Sequence, residues 1–216
     1  EIELMIKKTR EKVSPSVIRR LPRYRRRLTE LLDKGVTRIS SKELSRITGF
    51  TASQIRQDLN NFGGFGQQGY GYKVQDLYEE VGRILGLNKE YDVILIGFGN
   101  LGQAIANYTY FNKIGFKICG IFDVDPLVIG KRVNEIEVMD YDSLEAYLET
   151  HSVDIGIIAT DKNSAQDVAD KLSKGSVRGI WNFASVDLIV PGNVVLENVH
   201  LSDSLYTLAY YINQNE

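Results

Sequence analysis

The sequence predicts an α/β chain in two parts, a basic helical front and an acidic back built on a parallel sheet. Three observations predict it. Residues 1–86 hold 17 Lys and Arg against 10 Asp and Glu, net +7, and the remainder holds 9 against 18, net −9, so the overall charge of −2 hides two halves of opposite sign. Two helix-start signals follow at short interval, Ser40-Ser41-Lys42-Glu43 and Thr51-Ala52-Ser53-Gln54. The third observation is the run Gly97-Phe98-Gly99-Asn100-Leu101-Gly102, directly after the apolar Val93-Ile94-Leu95-Ile96.

At 216 residues, 43% hydrophobic and 25% charged, the chain has the balance of a globular protein. It lacks an apolar run of about 18 residues, and its first residues are too charged for a secretory leader. Membrane and disordered classes are poor fits, and a cytoplasmic protein is expected. The single cysteine, Cys119, lies in Lys117-Ile118-Cys119-Gly120-Ile121 and reads as an inert thiol inside a strand.

In the basic half, Leu21, Tyr24, Leu28, Leu31 and Leu32 recur at helical spacing among six arginines, and Gly35 supplies a stop. Each S/T-x-x-E/Q box then predicts a helix start, because hydroxyl and amide or carboxylate satisfy each other's orphan backbone donors. The first helix carries Leu44 and Ile47 inward, the second Ile55 and Leu59, with Thr48-Gly49-Phe50 as a tight turn between them. This is helix-turn-helix order. With Ile55 and Leu59 inward, Ser53, Gln57 and Asn60 fall on the opposite face and Arg56 and Asn61 at its edges. Such side chains suit base edges in a major groove; an ordinary solvated face is the alternative. The glycine- and aromatic-rich stretch from Phe62 to Val74 reads as a short hairpin, a wing whose tip suits a minor groove. The basic half is therefore expected to be a winged-helix domain that binds double-stranded DNA.

From Tyr91 strands alternate with helices: Val93–Ile96, a helix with Ile105 and Tyr108, Ile118–Phe122, Ile155–Thr160, a helix over Ala165–Leu172 and Gly179–Phe183. That alternation implies a right-handed parallel α/β sheet. In this setting Gly97 allows a tight turn, Gly99 lets backbone approach a pyrophosphate, and Gly102 permits close helix–strand packing. Asp123, 21 residues beyond Gly102 at the end of the next strand, suits a ribose 2′-hydroxyl and repels a 2′-phosphate, which favours NAD(H) over NADP(H). A glycine turn used only for packing is the alternative.

Catalytic residues are missing from this pattern. His151 sits at a helix end and His200 just before the last helix, neither where a hydride-transfer acid or base is expected. Too few residues follow the last expected strands to make a substrate domain. The final segment places Leu205, Leu208, Ala209 and Ile212 on one face, to be covered either by its own domain or by a second subunit.

The chain resembles the Rex family of bacterial redox-sensing repressors. The resemblance is carried by Arg20-Leu21-Pro22-Arg23-Tyr24 before the first helix, Ser40-Ser41-Lys42-Glu43-Leu44, Gln54-Ile55-Arg56-Gln57-Asp58-Leu59 and Gly69-Tyr70-Gly71-Tyr72. It continues through the glycine loop, Phe122-Asp123-Val124-Asp125 and Gly179-Ile180-Trp181-Asn182-Phe183-Ala184. It implies a homodimer that exchanges C-terminal helices, and a repressor that binds a palindromic operator when NAD+ dominates and releases it on binding NADH. A small NAD-dependent oxidoreductase with a basic accessory domain is the rival from another class, and a nucleotide-insensitive DNA-binding dimer a third reading.

The expected domains are 1–86, winged helix; 87–200, Rossmann-like and NAD(H)-binding; and 201–216, a C-terminal dimerisation helix. The cofactor residues are expected to be Gly97, Phe98, Gly99, Asn100, Leu101, Gly102, Tyr108, Asp123, Val124, Lys131, Thr160 and Asn182, with Tyr108 placed near the nicotinamide by the resemblance. The DNA residues are expected to be Arg20, Ser53, Gln54, Arg56, Gln57, Asn60 and Gln68. Where the family often has a basic residue, this chain has Gln57 and Gln68. Where the family has an Asp that responds to cofactor, it has His200-Leu201-Ser202-Asp203, which leaves His200 and Asp203 both open. No catalytic or metal residues are expected.

Overall fold

The computed structural model describes residues 13–63, 66–67 and 70–214, which form two compact units, one through Asn88 and one from Lys89. In the first unit α1 (Pro15–Asp33) is followed by β1 (Arg38–Ile39), α2 (Ser41–Thr48), α3 (Ala52–Asn60), β2 (Gly66–Gln67), β3 (Gly71–Lys73) and α4 (Val74–Ile84). The apolar face of α1 buries Val17, Leu21, Tyr24 and Leu28, and Gly35 ends the helix region at φ +71°. Its start differs from expectation: Arg20–Tyr24 lie inside the helix, which runs through Pro22. Pro22 is on the solvent side, and so is Ile18, whose carbonyl loses its donor.

The capping box at Ser40 is complete. The Glu43 N–H donates to Ser40 Oγ (3.1 Å) and the Ser40 N–H donates to Glu43 Oε2 (2.8 Å), which holds the Glu43 carboxyl below its usual range. At Thr51 only the forward half is made, the Gln54 N–H donating to Thr51 Oγ1 at 3.2 Å. Gly49 supplies the left-handed cap of α2 at φ +76°. β1, β3 and β2 form a three-stranded antiparallel sheet, the base of the wing; its tip residue Gln68 lies outside the described residues. Helix α4, which the sequence reading did not anticipate, closes the core with Val74, Leu77 and Val81.

The second unit runs β4 (Tyr91–Ile96), α5 (Asn100–Ala106), α6 (Tyr110–Lys113), β5 (Phe116–Asp123), β6 (Arg132–Val133), β7 (Ile136–Asp140), α7 (Leu144–Thr150), β8 (Ile155–Ile158), α8 (Ala165–Lys174), β9 (Gly179–Asn182), β10 (Val195–Asn198) and α9 (Leu201–Asn213). The strand order is β10-β9-β8-β4-β5-β7-β6, parallel except for the β6–β7 hairpin. β4 is buried on both faces. Ile94 and Ile96 join the layer of α7 and α8, while Val93 and Leu95 join Ile105, Ala106 and Ile121 on the other side. From β4 the chain crosses first to β5 on one side and later to β8 on the other, so a crevice opens at the carboxyl ends of these strands.

Cys119 is half-buried with Sγ 3.4 Å from the Val93 carbonyl, and burial pushes its thiol pKa up, consistent with an inert core thiol. No described residue of α9 is buried: Leu205, Leu208 and Ile212 are 63%, 55% and 54% exposed. Its apolar stripe is therefore not covered by its own domain. No described helix is long and apolar enough to cross a membrane.

Ser40 and Glu43 together start the helix that leads into α3. Ser40→Ala is expected to lower unfolding stability by about 1 kcal/mol. Urea denaturation checks it: the midpoint falls while the slope stays constant.

Candidate functional site

The glycine loop is shaped by contacts between backbones. Gly97 has φ +96°, and a Cβ there would stand 2.6 Å from the Ala159 carbonyl oxygen at the end of β8. A Cβ on Gly102 would collide with the Gly97 carbonyl itself, so the last glycine can approach the first only because it carries no side chain. The space beside Gly99 is open, which leaves its backbone accessible. Asp123 then fixes the loop from the neighbouring strand. Its Oδ2 accepts the Phe98 N–H (2.5 Å) and its Oδ1 the Asp125 N–H (2.8 Å).

Beside this loop lies a cleft of 490 Å3, at the carboxyl ends of β4, β5 and β8. This volume is within the range of small-molecule sites. The cleft brings together five residues named from the sequence: Gly97, Gly99, Asp123, Val124 and Thr160. Asn100, the exposed first residue of α5, and half-buried Leu101 continue from its rim into the helix. Phe98 is 4% exposed and turns its ring into the core, so it presents only backbone.

Other expected residues stand elsewhere. Tyr108 lies beyond the end of α5, not within it, and packs edge-on against Phe111 with ring centroids 4.9 Å apart. Lys131 is exposed in the turn before β6 and does not line the cleft. Asn182 does not line the cleft either: it is fully buried, its Nδ2 donating to the Val186 carbonyl (2.8 Å) and Asn198 Oδ1 (2.9 Å) and its Oδ1 accepting the Ala184 N–H (2.9 Å). These hydrogen bonds hold the chain after β9.

The cleft also contains Tyr141, Asp161, Ser164 and Asp167, which the sequence reading did not single out. Tyr141 follows β7, a strand in which Val138 is buried between the exposed Glu137 and half-buried Met139. Its hydroxyl donates to Asp167 Oδ2 (3.2 Å), and burial next to that carboxylate pushes its pKa up, so it remains a donor. Asp161 accepts from Ser164 Oγ (2.8 Å) and the Asn163 N–H (2.8 Å), which hold its carboxyl below the usual range. The two histidines are remote: His151 stacks on Tyr147, and His200 lies 2.9 Å from Asp187. Among the described residues, no cluster fit to hold a metal is present.

In the first unit, α3 exposes Ser53, Arg56, Gln57 and Asn60 on one side, with Gln54 half-buried. Arg56 Nη1 donates to Ser41 Oγ (3.1 Å) at the start of α2, so its guanidinium stays at the helix-turn-helix surface. Arg20 does not join this face. Its guanidinium is bidentate to Asp58, a residue of α3 that is 2% exposed.

Family models place the description "Putative DNA-binding protein N-terminus" on residues 12–60 and "CoA binding domain" on residues 88–186. The chain is 58% identical to the redox-sensing transcriptional repressor Rex of Thermoanaerobacter pseudethanolicus, over 98% of this chain and 94% of that protein. With the Rex of Clostridium novyi it shares 59% identity over 93% of this chain and 96% of the relative. Among solved structures it matches RSP bound to β-NADH at TM-score 0.88 and 54% identity, over 94% and 96% of the two chains. It also matches RSP with β-NAD+ and operator DNA at TM-score 0.89 and 57% identity, over 94% of each chain. A glycine cradle with its acidic strand end, set behind a winged helix and matched over nearly the full length by these relatives, places the chain in the Rex family of redox-sensing transcriptional repressors.

Proposed function

We propose that this chain is a DNA-binding repressor that senses the NADH/NAD+ ratio, holding a palindromic operator with NAD+ or no cofactor and releasing it on binding NADH. The observation that carries the reading is the preformed cleft, with its glycine cradle and Asp123, in a chain whose close relatives are repressors and not enzymes. NAD(H), when bound, contributes the redox state to be read. The chain's own residues do the binding. The backbone N–H groups from Gly99 to Gly102 take the pyrophosphate, and the Asp123 carboxylate accepts from the ribose hydroxyls, with Val124 and Thr160 bounding the cleft. Tyr108, placed near the nicotinamide by the family resemblance, and Lys131 stand outside the cleft of a single chain.

The carboxylates of Asp123, Asp161 and Asp167 also set selectivity. A phosphate on the adenosine ribose, as in NADP(H) or coenzyme A, would bring two further negative charges against them. The "CoA binding" description therefore fits the fold of this unit better than its ligand.

DNA is read in this proposal by Ser53, Gln54, Arg56, Gln57 and Asn60, with α3 in the major groove. The domain plan is the winged helix over 1–86, the dinucleotide unit over 87–200 and the C-terminal helix over 201–216, and the protein acts in the cytoplasm. The exposed stripe of α9 is matched by a second open apolar surface, a cavity of 330 Å3 bounded by Phe111, Phe116, Ile118, Ile155, Ile157 and Trp181. A second copy of the chain covers such surfaces and supplies the two winged helices that a palindrome requires.

Two measurements test this function. In fluorescence anisotropy on a labelled palindromic duplex, NADH is expected to release the wild-type protein and NAD+ to leave it bound. Asp123→Ala is expected to weaken NADH binding by about 10- to 100-fold, from the loss of charged hydrogen bonds, while binding the duplex normally. Release of Asp123→Ala at wild-type NADH concentrations would remove the cofactor assignment. In sedimentation, the wild type is expected as a dimer and Leu208→Asp as a monomer, because a charge in an apolar interface has no partner there. An unchanged dimer would separate α9 from assembly.

A further inference from the structure

A buried ion pair joins the helix that faces DNA to the first helix of its domain. Asp58 lies on α3 between the core residues Ile55 and Leu59 and is 2% exposed. An apolar side chain would pack there without the cost of burying a carboxylate. The three side-chain bonds to it come from α1: Arg20 Nε donates to Oδ2 (2.7 Å), Arg20 Nη2 to Oδ1 (2.6 Å) and the Tyr24 hydroxyl to Oδ2 (2.7 Å). Tyr24 is itself fully buried, and burial together with Asp58 holds its hydroxyl in the protonated, donating form.

These bonds do what apolar contacts cannot. Hydrophobic burial is non-directional and sets no plane by itself. A bidentate guanidinium fixes both a distance and a plane. The pair sits on the inward side of α3, while Ser53, Arg56, Gln57 and Asn60 face out from the same helix, so rotation at one side is rotation at the other. Contacts that discriminate bases must be held within roughly 0.5 Å and 10–20°. Arg20 is a poor phosphate ligand for the same reason. Its charge is compensated by Asp58, so it has little counterion to release on meeting DNA.

Resting on the DNA-binding reading above, we propose that Arg20 is a positioning residue: with Tyr24 it holds Asp58 and thereby sets the angle at which α3 meets base edges, without contacting phosphate itself. It contributes sequence preference and leaves general affinity for DNA unchanged.

The test uses the full chain, a duplex that the wild-type protein selects from a random pool, and a shuffled duplex of the same composition. Arg20→Lys, which keeps the charge but not the fork, and Asp58→Asn are each expected to lower the selected-over-shuffled preference by about tenfold, the size of one misplaced base contact. The double variant is expected to lose no more than either single one, and Tyr24→Phe to lose part of it. For all of them the salt dependence of binding the shuffled duplex stays at the wild-type slope. A phosphate contact would behave differently: Arg20→Gln would reduce that slope by about 0.9 and weaken both duplexes alike, and Asp58→Asn would leave the preference intact. That pattern overturns the proposal. Thermal melts establish which variants fold; should Arg20→Gln fail to, an unchanged preference in folded Arg20→Lys and Tyr24→Phe is equally fatal. Equal binding of both duplexes by the wild type removes the DNA-binding reading and this inference with it. A wild-type preference that the variants keep removes the inference alone.

Discussion

The close approach of Gly97 to Gly102 is the constraint on which the second unit is organised. With no Cβ at either position, the first carbonyl after β4 can lie against the first turn of α5, and the loop can also press on Ala159 at the end of β8. Asp123 completes the arrangement from the other flanking strand by accepting the Phe98 N–H. Three adjacent parallel strands therefore meet at one point, on the line where the chain's crossovers change direction. The cleft exists because backbone and not side chain fills that point. A single added methyl at Gly102 has no flexible neighbour to displace, since what it meets is the carbonyl of Gly97.

A site so built suits binding without turnover. The polar groups that touch the cleft are backbone amides, carboxylates and hydroxyls, and the two histidines are engaged elsewhere with Tyr147 and Asp187. What such a cleft changes on filling is a conformational balance, and the size of that change equals the difference in affinity between the arrangements that hold and release DNA. The helix-turn-helix is correspondingly stiff. It is tied by the Ser40 box, by Arg56 to Ser41 and by Arg20 and Tyr24 to Asp58. In the dimer proposed above, a fixed reading surface on each subunit would let a modest reorientation of the pair break register with a duplex.

The sequence spoke most clearly where local geometry demands one residue type. Glycines at 97, 99 and 102, an acid at the end of the next strand, and hydroxyls three residues before Glu43 and Gln54 each answer a backbone requirement, so the loop, Asp123 and both helix starts could be read directly. It spoke least where a role depends on distant neighbours. Nothing in the order Gln57-Asp58-Leu59 says that Asp58 turns inward to meet Arg20, 38 positions earlier. From the sequence Arg20 therefore reads as a cation for DNA, not as the partner of a buried carboxylate. Nothing around Asn182 in the sequence says that its amide donates to Val186 and Asn198. Tyr141 and Asp167 reach the cleft from β7 and α8, and only the order of strands in the sheet brings them there.

Coupling between the two units is what makes the protein a sensor, and coupling must act equally in both directions. The direct measurement is the NADH dissociation constant of the wild-type protein, by calorimetry, with and without a saturating palindromic duplex. A linked sensor binds NADH more weakly on DNA, by the same factor by which NADH weakens the duplex, on the order of 5- to 150-fold. The same NADH affinity with and without the duplex would contradict it and leave two domains that merely share a chain.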